Sequence, residues 1–218
     1  LIIDDIGYDR AAAEKLIELD APLTLALLPH SPHLHAIAES AHRRGLELML
    51  HLPMEPVGYP EVNPGPGTLL TRMPPDELLQ VLERNLEAVP HIRGVNNHMG
   101  SKLTAQAEQM YQIFSVLKKR GLYFIDSRTT EESVCKPSAR LFQLPFAQRD
   151  VFLDHHPEPA FIRQQLRELV RIALRRGEAV GIAHPYPATV RVLKEELTSL
   201  REQVELVPAS QLTRAASS

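Results

Sequence analysis

Leu1-Ile2-Ile3-Asp4-Asp5-Ile6-Gly7 opens the chain, and its reading decides the fold. Three consecutive β-favouring apolar residues read as a short strand buried on both faces, the signature of a parallel sheet. Two adjacent carboxylates stand where that strand ends, and Gly7 lets the chain turn away. Burying two ionised carboxylates side by side is costly unless a cation or a proton compensates them. Asp4-Asp5 therefore marks a metal site or a general base, or else two acids capping the next helix from a solvated loop.

Working outward, apolar runs alternate with helical patterns along the whole chain. Arg10–Asp20 has helical spacing, Leu23–Leu28 reads as a second strand, and Ser31-Pro32 opens a helix to Arg44. Leu46–Leu50 is a third strand ending at His51, followed by a Pro- and Gly-rich loop over Pro53–Met73. A helix opens at Pro74-Pro75-Asp76, and a strand over Ile92–Asn96 ends at Asn97-His98. Ala105–Arg120 is helical, Leu122–Ile125 is a strand ending at Asp126, and Val134–Leu141 holds a short helix. Val151–Leu153 and Ala179–Ala183 are strands, each followed by a helix, over Pro159–Arg176 and Ala188–Gln203. Val204–Val207 is expected to form an eighth, terminal strand.

Repeated βα units with short connections imply a parallel sheet covered by helices, open or closed. Seven or eight strands in 218 residues favour a distorted (β/α) barrel in a single domain spanning 1–218. The chain is 44% hydrophobic, enough for a large core, and no segment is apolar long enough to span a bilayer. A net charge of -3 gives no electrostatic reason to expect nucleic acid or a membrane surface as partner. Cys135, the single cysteine, excludes an internal disulfide framework and a cysteine-based zinc finger. There is no Trp to stack on a sugar, and Tyr8, Tyr59 and Tyr186 substitute only in part. The first residue is not Met, and the chain starts inside a strand. We therefore expect part of a longer or processed protein, with any signal peptide upstream.

Nearly every predicted strand ends in a residue able to bind metal or move protons: Asp4-Asp5, His30, His51, His98, Asp126, Asp154-His155 and His184. In a parallel barrel these ends share one face, where active sites are built. Three His and Asp ligands with an open fourth position make a catalytic zinc-type site. His30, His33 and His35 straddle a helix start and are expected in solvent, as are His42 and His91. Of the neighbours His155 and His156, at most one can face a pocket.

Taken together and in order, Leu-Ile-Ile-Asp-Asp-Ile-Gly, His51-Leu-Pro-Met-Glu55-Pro, Asn96-Asn-His-Met-Gly-Ser101, Phe124-Ile-Asp-Ser-Arg128 and Gly181-Ile-Ala-His-Pro185 resemble the divergent polysaccharide deacetylases, a branch of the NodB-like carbohydrate esterase superfamily. The resemblance implies a distorted (β/α) barrel holding one divalent metal, usually zinc. It implies Asp5 and His51 as metal ligands, Asp4 as general base and His184 as general acid. Glu55 stands where the family has its second histidine, so the third ligand is assigned to His98, with Glu55 as the alternative. The family's arginine motif is not recognisable around Asn96–Ser101. Asp126 and Arg128 are expected to form an ion pair that orients the base or binds substrate, or to cap the next segment. Tyr59, in the long loop, and Asn97 are placed with the substrate-binding or supporting residues.

The resulting expectation is a metal-dependent hydrolase removing acetyl groups from an N-acetylated polysaccharide or peptidoglycan fragment, in the periplasm or secreted. The alternatives are a catalytically impaired member that binds a glycan or an envelope protein, and a metal hydrolase of another substrate such as a phosphoester. The lack of a Gly-rich phosphate loop counts against the last.

Overall fold

The structure, a computed structural model, describes residues 1–215, all but the last three of the expected 1–218 domain. The elements follow in strict alternation at first: β1 (Ile2–Ile6), α1 (Arg10–Ile17), β2 (Thr24–Leu27), α2 (Leu34–Arg43), β3 (Glu47–Met54), α3 (Pro75–Ala88) and β4 (Ile92–Met99). Then come α4 (Ala107–Lys119), β5 (Tyr123–Asp126), α5 (Cys135–Phe142), β6 (Phe146–Gln148), β7 (Val151–Phe152), α6 (Pro159–Arg176), β8 (Gly181–Ala183) and α7 (Pro187–Gln203). The eight strands form one parallel sheet in the order β6-β5-β4-β3-β2-β1-β8-β7, curled into a half-barrel. The expected distorted barrel is therefore present, with a seam between β6 and β7, which follow each other in the chain yet form opposite edges of the sheet.

Strand alternation sorts the apolar residues into two layers. Ile3, Leu25, Leu27, Leu48, Leu50, Val95 and Phe124 face the helices in the main core. Ile2, Ala26, Met49, Tyr123, Ile125 and Ile182 fill the barrel interior. That second set shares its face with Asp4, His51 and Asn96, each an even number of residues along the same strand. No described helix is long and apolar enough to cross a membrane.

The terminal strand expected at Val204–Val207 does not form. After α7 the chain passes under the barrel instead, and a 3-10 turn at Ala209–Leu212 closes the amino end of the sheet. Ala209 N–H donates to Thr24 Oγ1 at 2.9 Å, and Ser210 N–H donates to Glu47 Oε1, also at 2.9 Å. Tyr123 O–H donates to the same Glu47 oxygen at 2.7 Å. The eighth strand is β6, three residues after Pro145, too short to leave a periodic signal. With its amino end plugged, the barrel opens at the carboxyl ends of its strands, the face where α/β barrels carry their chemistry.

β3 and β4 run to Met54 and Met99, several residues past their predicted ends, and pair continuously from Met49↔Gly94 to Met54↔Met99. His51 and His98 therefore lie inside strands, which hold their backbones more firmly than loops would.

Candidate metal centre

In a regular strand neighbouring side chains point to opposite faces, so Asp4 and Asp5 should diverge. They do not, because Asp5 adopts left-handed backbone with φ 56°. This conformation is strained for a residue with a Cβ, costing on the order of 1–3 kcal/mol. Its effect is that His51 Nε2 lies 3.7 Å from Asp4 Oδ2 and 3.2 Å from Asp5 Oδ1. Gly7 completes the turn with φ 139°, and a Cβ there would sit 1.9 Å from Ser31 Oγ. Neither aspartate caps the next helix; Asp9 does, accepting from Ala12 N–H at 2.9 Å. Ser31, expected as a helix cap, spends its hydroxyl on Leu28 O.

Three potential ligand atoms converge. Asp5 Oδ1 lies 3.0 Å from His98 Nδ1 and 3.2 Å from His51 Nε2, and the two ring nitrogens are 3.0 Å apart. Bonds of 2.0–2.1 Å around a tetrahedral zinc give ligand–ligand edges of about 3.3 Å, close to this triangle. Asp5 Oδ1 is buried without a hydrogen-bond donor, a costly state that a cation would relieve. His51 Nδ1 faces Asn96 Oδ1 at 2.8 Å, which makes Nδ1 the protonated nitrogen and leaves the Nε2 lone pair for the triad. One carboxylate and two imidazoles fit a divalent metal of zinc type, with an open fourth position.

The electrostatics divide the two aspartates. Burial raises the Asp4 pKa above the ordinary carboxylate value, only partly opposed by His51, His184 and Asn96. Burial also works to raise Asp5, but hydrogen bonds and charge from His51 and His98 outweigh it and hold Asp5 well below that value. His51, although burial lowers it, is pushed up to about 9 by Asp4 and Asp5. Asp5 is thus the carboxylate that stays ionised beside a cation, and Asp4 the one with affinity for a proton.

Asn96 Nδ2 donates to Asp4 Oδ1 at 2.7 Å and so orients the acid where the family's arginine motif was sought. On the other side of the triad, His184 Nε2 lies 4.0 Å from Asp5 Oδ2. Its Nδ1 is held by buried Asp154 Oδ1 at 2.8 Å, while Asp154 Oδ2 accepts from His184 N–H and Thr189 O–H. Burial lowers the His184 pKa, but Asp154, with Asp4 and Asp5, raises it overall. The ring lies between Phe152 and Tyr186, with centroids 6.1 and 5.4 Å away.

Several expected site residues lie elsewhere. Glu55 is not a ligand: it pairs with Lys102 Nζ at 2.6 Å and accepts from Thr71 N–H and O–H, pinning the long loop. Asp126 forms no ion pair with the Arg128 guanidinium; it accepts from the Arg128 backbone N–H and from Ser133 O–H. Asn97, out of phase with His98, spends its amide on Met99 O and Ser127 N–H. Tyr59 is half-buried and its side chain makes no hydrogen bond among the described residues. His33, His35, His42 and His91 are exposed, as expected; His155 and His156 both pack on Phe161 outside the triad. Exposed His30 bonds Asn85 at 3.1 Å.

Three supporting residues had no assigned role in the sequence reading. Asn96 was findable two residues before His98, on the same strand face. Asp154 was among the strand-end acids but had no sequence link to His184. Arg149, which fills the β6–β7 seam and donates to Ser127 O and Arg128 O, left no signal.

The sequence pattern of the family described as divergent polysaccharide deacetylase matches residues 1–213. The uncharacterized protein YibQ of Escherichia coli (strain K12) is 35% identical over 97% of this chain, and an uncharacterized Haemophilus influenzae protein is 31% identical over 98%. The chain spans 66% and 76% of those two proteins' lengths. Among solved structures, the uncharacterized protein ATU2773 from Agrobacterium tumefaciens C58 superposes with a TM-score of 0.92 at 29% identity, over 97% of this chain and 87% of that one. A CE4 family pseudoenzyme from Bacillus anthracis shares the fold at a TM-score of 0.52 and 15% identity, over 95% of this chain and 62% of that one. With the pattern matched along nearly its whole length, this chain belongs to the divergent polysaccharide deacetylase family.

Proposed function

We propose that the chain is a metal-dependent amide hydrolase that deacetylates an N-acetylated glycan. The observation that carries the reading is the Asp5–His51–His98 triangle, flanked by a proton acceptor, Asp4, and a proton donor, His184. A divalent cation held by the triad, zinc by preference, supplies Lewis acidity that polarises a carbonyl and acidifies a water.

The chain's own residues do the rest. Asp4, fixed by Asn96 through Oδ1, has Oδ2 free to take a proton from an attacking water. His184, held in one tautomer by Asp154, presents Nε2 to the opposite side and gives its proton to the departing amine. Without that proton the amine leaves poorly. The half-barrel's open mouth suits a polymer lying across it, and a periplasmic or secreted setting accords with such a substrate.

The test is acetate release from N-acetylated chito-oligosaccharide and from peptidoglycan fragments by zinc-loaded protein. Release that is lost in Asp4→Asn and in His184→Ala supports the hydrolase. Glycan binding without release would move the chain to the non-catalytic alternative.

A further inference from the structure

Most of the arginines in this molecule that approach a carboxylate pair with one. Arg120, Arg163, Arg171, Arg176 and Arg214 all hold Glu or Asp partners. Among the described residues, the arginines with no side-chain partner are exposed, with one exception: Arg128 is half-buried, and its guanidinium makes no hydrogen bond or ion pair. The nearest acid along the chain, Asp126, has both oxygens occupied by the Arg128 N–H and Ser133 O–H.

A second guanidinium faces the first. Arg149 is locked by bonds to Ser127 O (2.7 Å) and Arg128 O (2.9 Å), and its Cζ lies 3.9 Å from the centroid of the Phe152 ring. Burial, and next the Arg128 charge, depress its pKa, which places the two cations within each other's field. Asp4 acts on Arg149 as well, so the pair lies beside the catalytic acid. Phe152 in turn stacks on His184 at 6.1 Å. Two partly desolvated guanidinia held together are mutually repulsive, a cost that a bound anion reverses. The planar fork of arginine matches a carboxylate in particular.

We propose that Arg128 and Arg149 form an anion subsite at the β6–β7 seam that takes a carboxylate carried by the glycan itself. This rests on the deacetylase reading and narrows its substrate to an acidic N-acetylated glycan. Arg149 is the fixed wall of the subsite, and Arg128 is the free fork that closes on the ligand.

The test is calorimetric binding of two N-acetylhexosamine tetrasaccharides to the zinc-loaded chain, one neutral and one carrying an ether-linked lactyl carboxylate on alternate rings. The acidic probe is expected to bind at least about tenfold more tightly at low salt, as charge-assisted hydrogen bonds would give. Half-molar salt should shrink the advantage. Arg128→Gln should remove most of it and Arg128→Lys should retain part, which separates lost charge from lost folding. Equal affinities for the two probes, or a preference that survives Arg128→Gln, would overturn the proposal. Free acetate binding as tightly as the acidic probe would assign the subsite to the product and also overturn it. Acetate release from the same mixtures is read separately. No release with the preference intact sinks the hydrolase and leaves the subsite; release without preference does the reverse.

Discussion

Asn96 Nδ2 donates to Asp4 Oδ1 at 2.7 Å, and the same amide accepts the His51 Nδ1 proton at 2.8 Å. One side chain thus sets both the tautomer of a metal-facing imidazole and the orientation of the neighbouring acid. Asn96→Ala should lower both zinc affinity and acetate release by about 10–100-fold, the range for residues supporting a metal ligand. Zinc titration and kcat measured on one preparation check this.

Ligands and proton carriers should separate cleanly. Asp5→Ala, His51→Ala and His98→Ala are each expected to abolish stoichiometric zinc binding, because two ligands no longer hold the ion in competition with water. Asp4→Asn and His184→Ala should keep zinc and lose turnover. Elemental analysis of purified variants, beside acetate release, gives the answer; zinc retained in Asp5→Ala would sink the assignment.

Asp154 touches neither metal ligand nor substrate, yet it holds the His184 Nδ1 proton. Asp154→Asn is expected to lower kcat by at least about a hundredfold with zinc content unchanged, as when a tautomer-setting acid is lost elsewhere.

Glu55 stands at a position where the family pattern expects a histidine ligand, but its partners make it a loop anchor. Burial raises its pKa, but Lys102 and Thr71 outweigh that and hold it below the ordinary value. A depressed carboxylate stabilises the fold above its unfolded-state pKa of about 4.3, and that contribution is lost as pH falls through the lower folded value. Glu55→Gln should therefore cost about 1–3 kcal/mol at pH 7, and progressively less in acid, with zinc stoichiometry intact. Thermal melts from pH 7 to pH 3 read the difference.

Gly7→Ala should lower stability by about 1–3 kcal/mol, since both Ser31 Oγ and Ser31 Cβ, at 1.9 and 2.6 Å, obstruct the new methyl group. Because Asp5 lies two residues upstream in strained backbone, zinc affinity should fall with it. Calorimetric unfolding with and without zinc separates the two effects.

Much of this was legible in the residues. Apolar runs punctuated by Gly and Pro located seven of the eight strands, and Pro159–Arg176 matched α6 at both ends. Strand-end His and Asp residues pointed to the face where Asp5, His51 and His98 meet. What escaped depended on distance through space. The length of β3 and β4 is set by their mutual pairing, which no single strand encodes. Asp154 and His184 are 30 residues apart, and only the β7–β8 pairing brings them together. Asp4 and Asp5 act on one side because of a backbone kink that alternation alone would deny. Val204–Val207 has strand composition, but the segment that follows it serves as the barrel's floor.

That floor has a kinetic consequence. The bonds from Ala209 to Thr24 and from Ser210 to Glu47 close loops of 185 and 163 residues. During synthesis, β1 to β3 leave the ribosome long before residue 209 does, so their lower rim stays wet while the remaining strands assemble. Such distant closures are slow to form, and the half-built sheet presents sticky edges in the meantime. The last twenty described residues therefore act as a latch, and a chain truncated before them would be expected to collect as aggregate even though every candidate ligand of the metal is already in place.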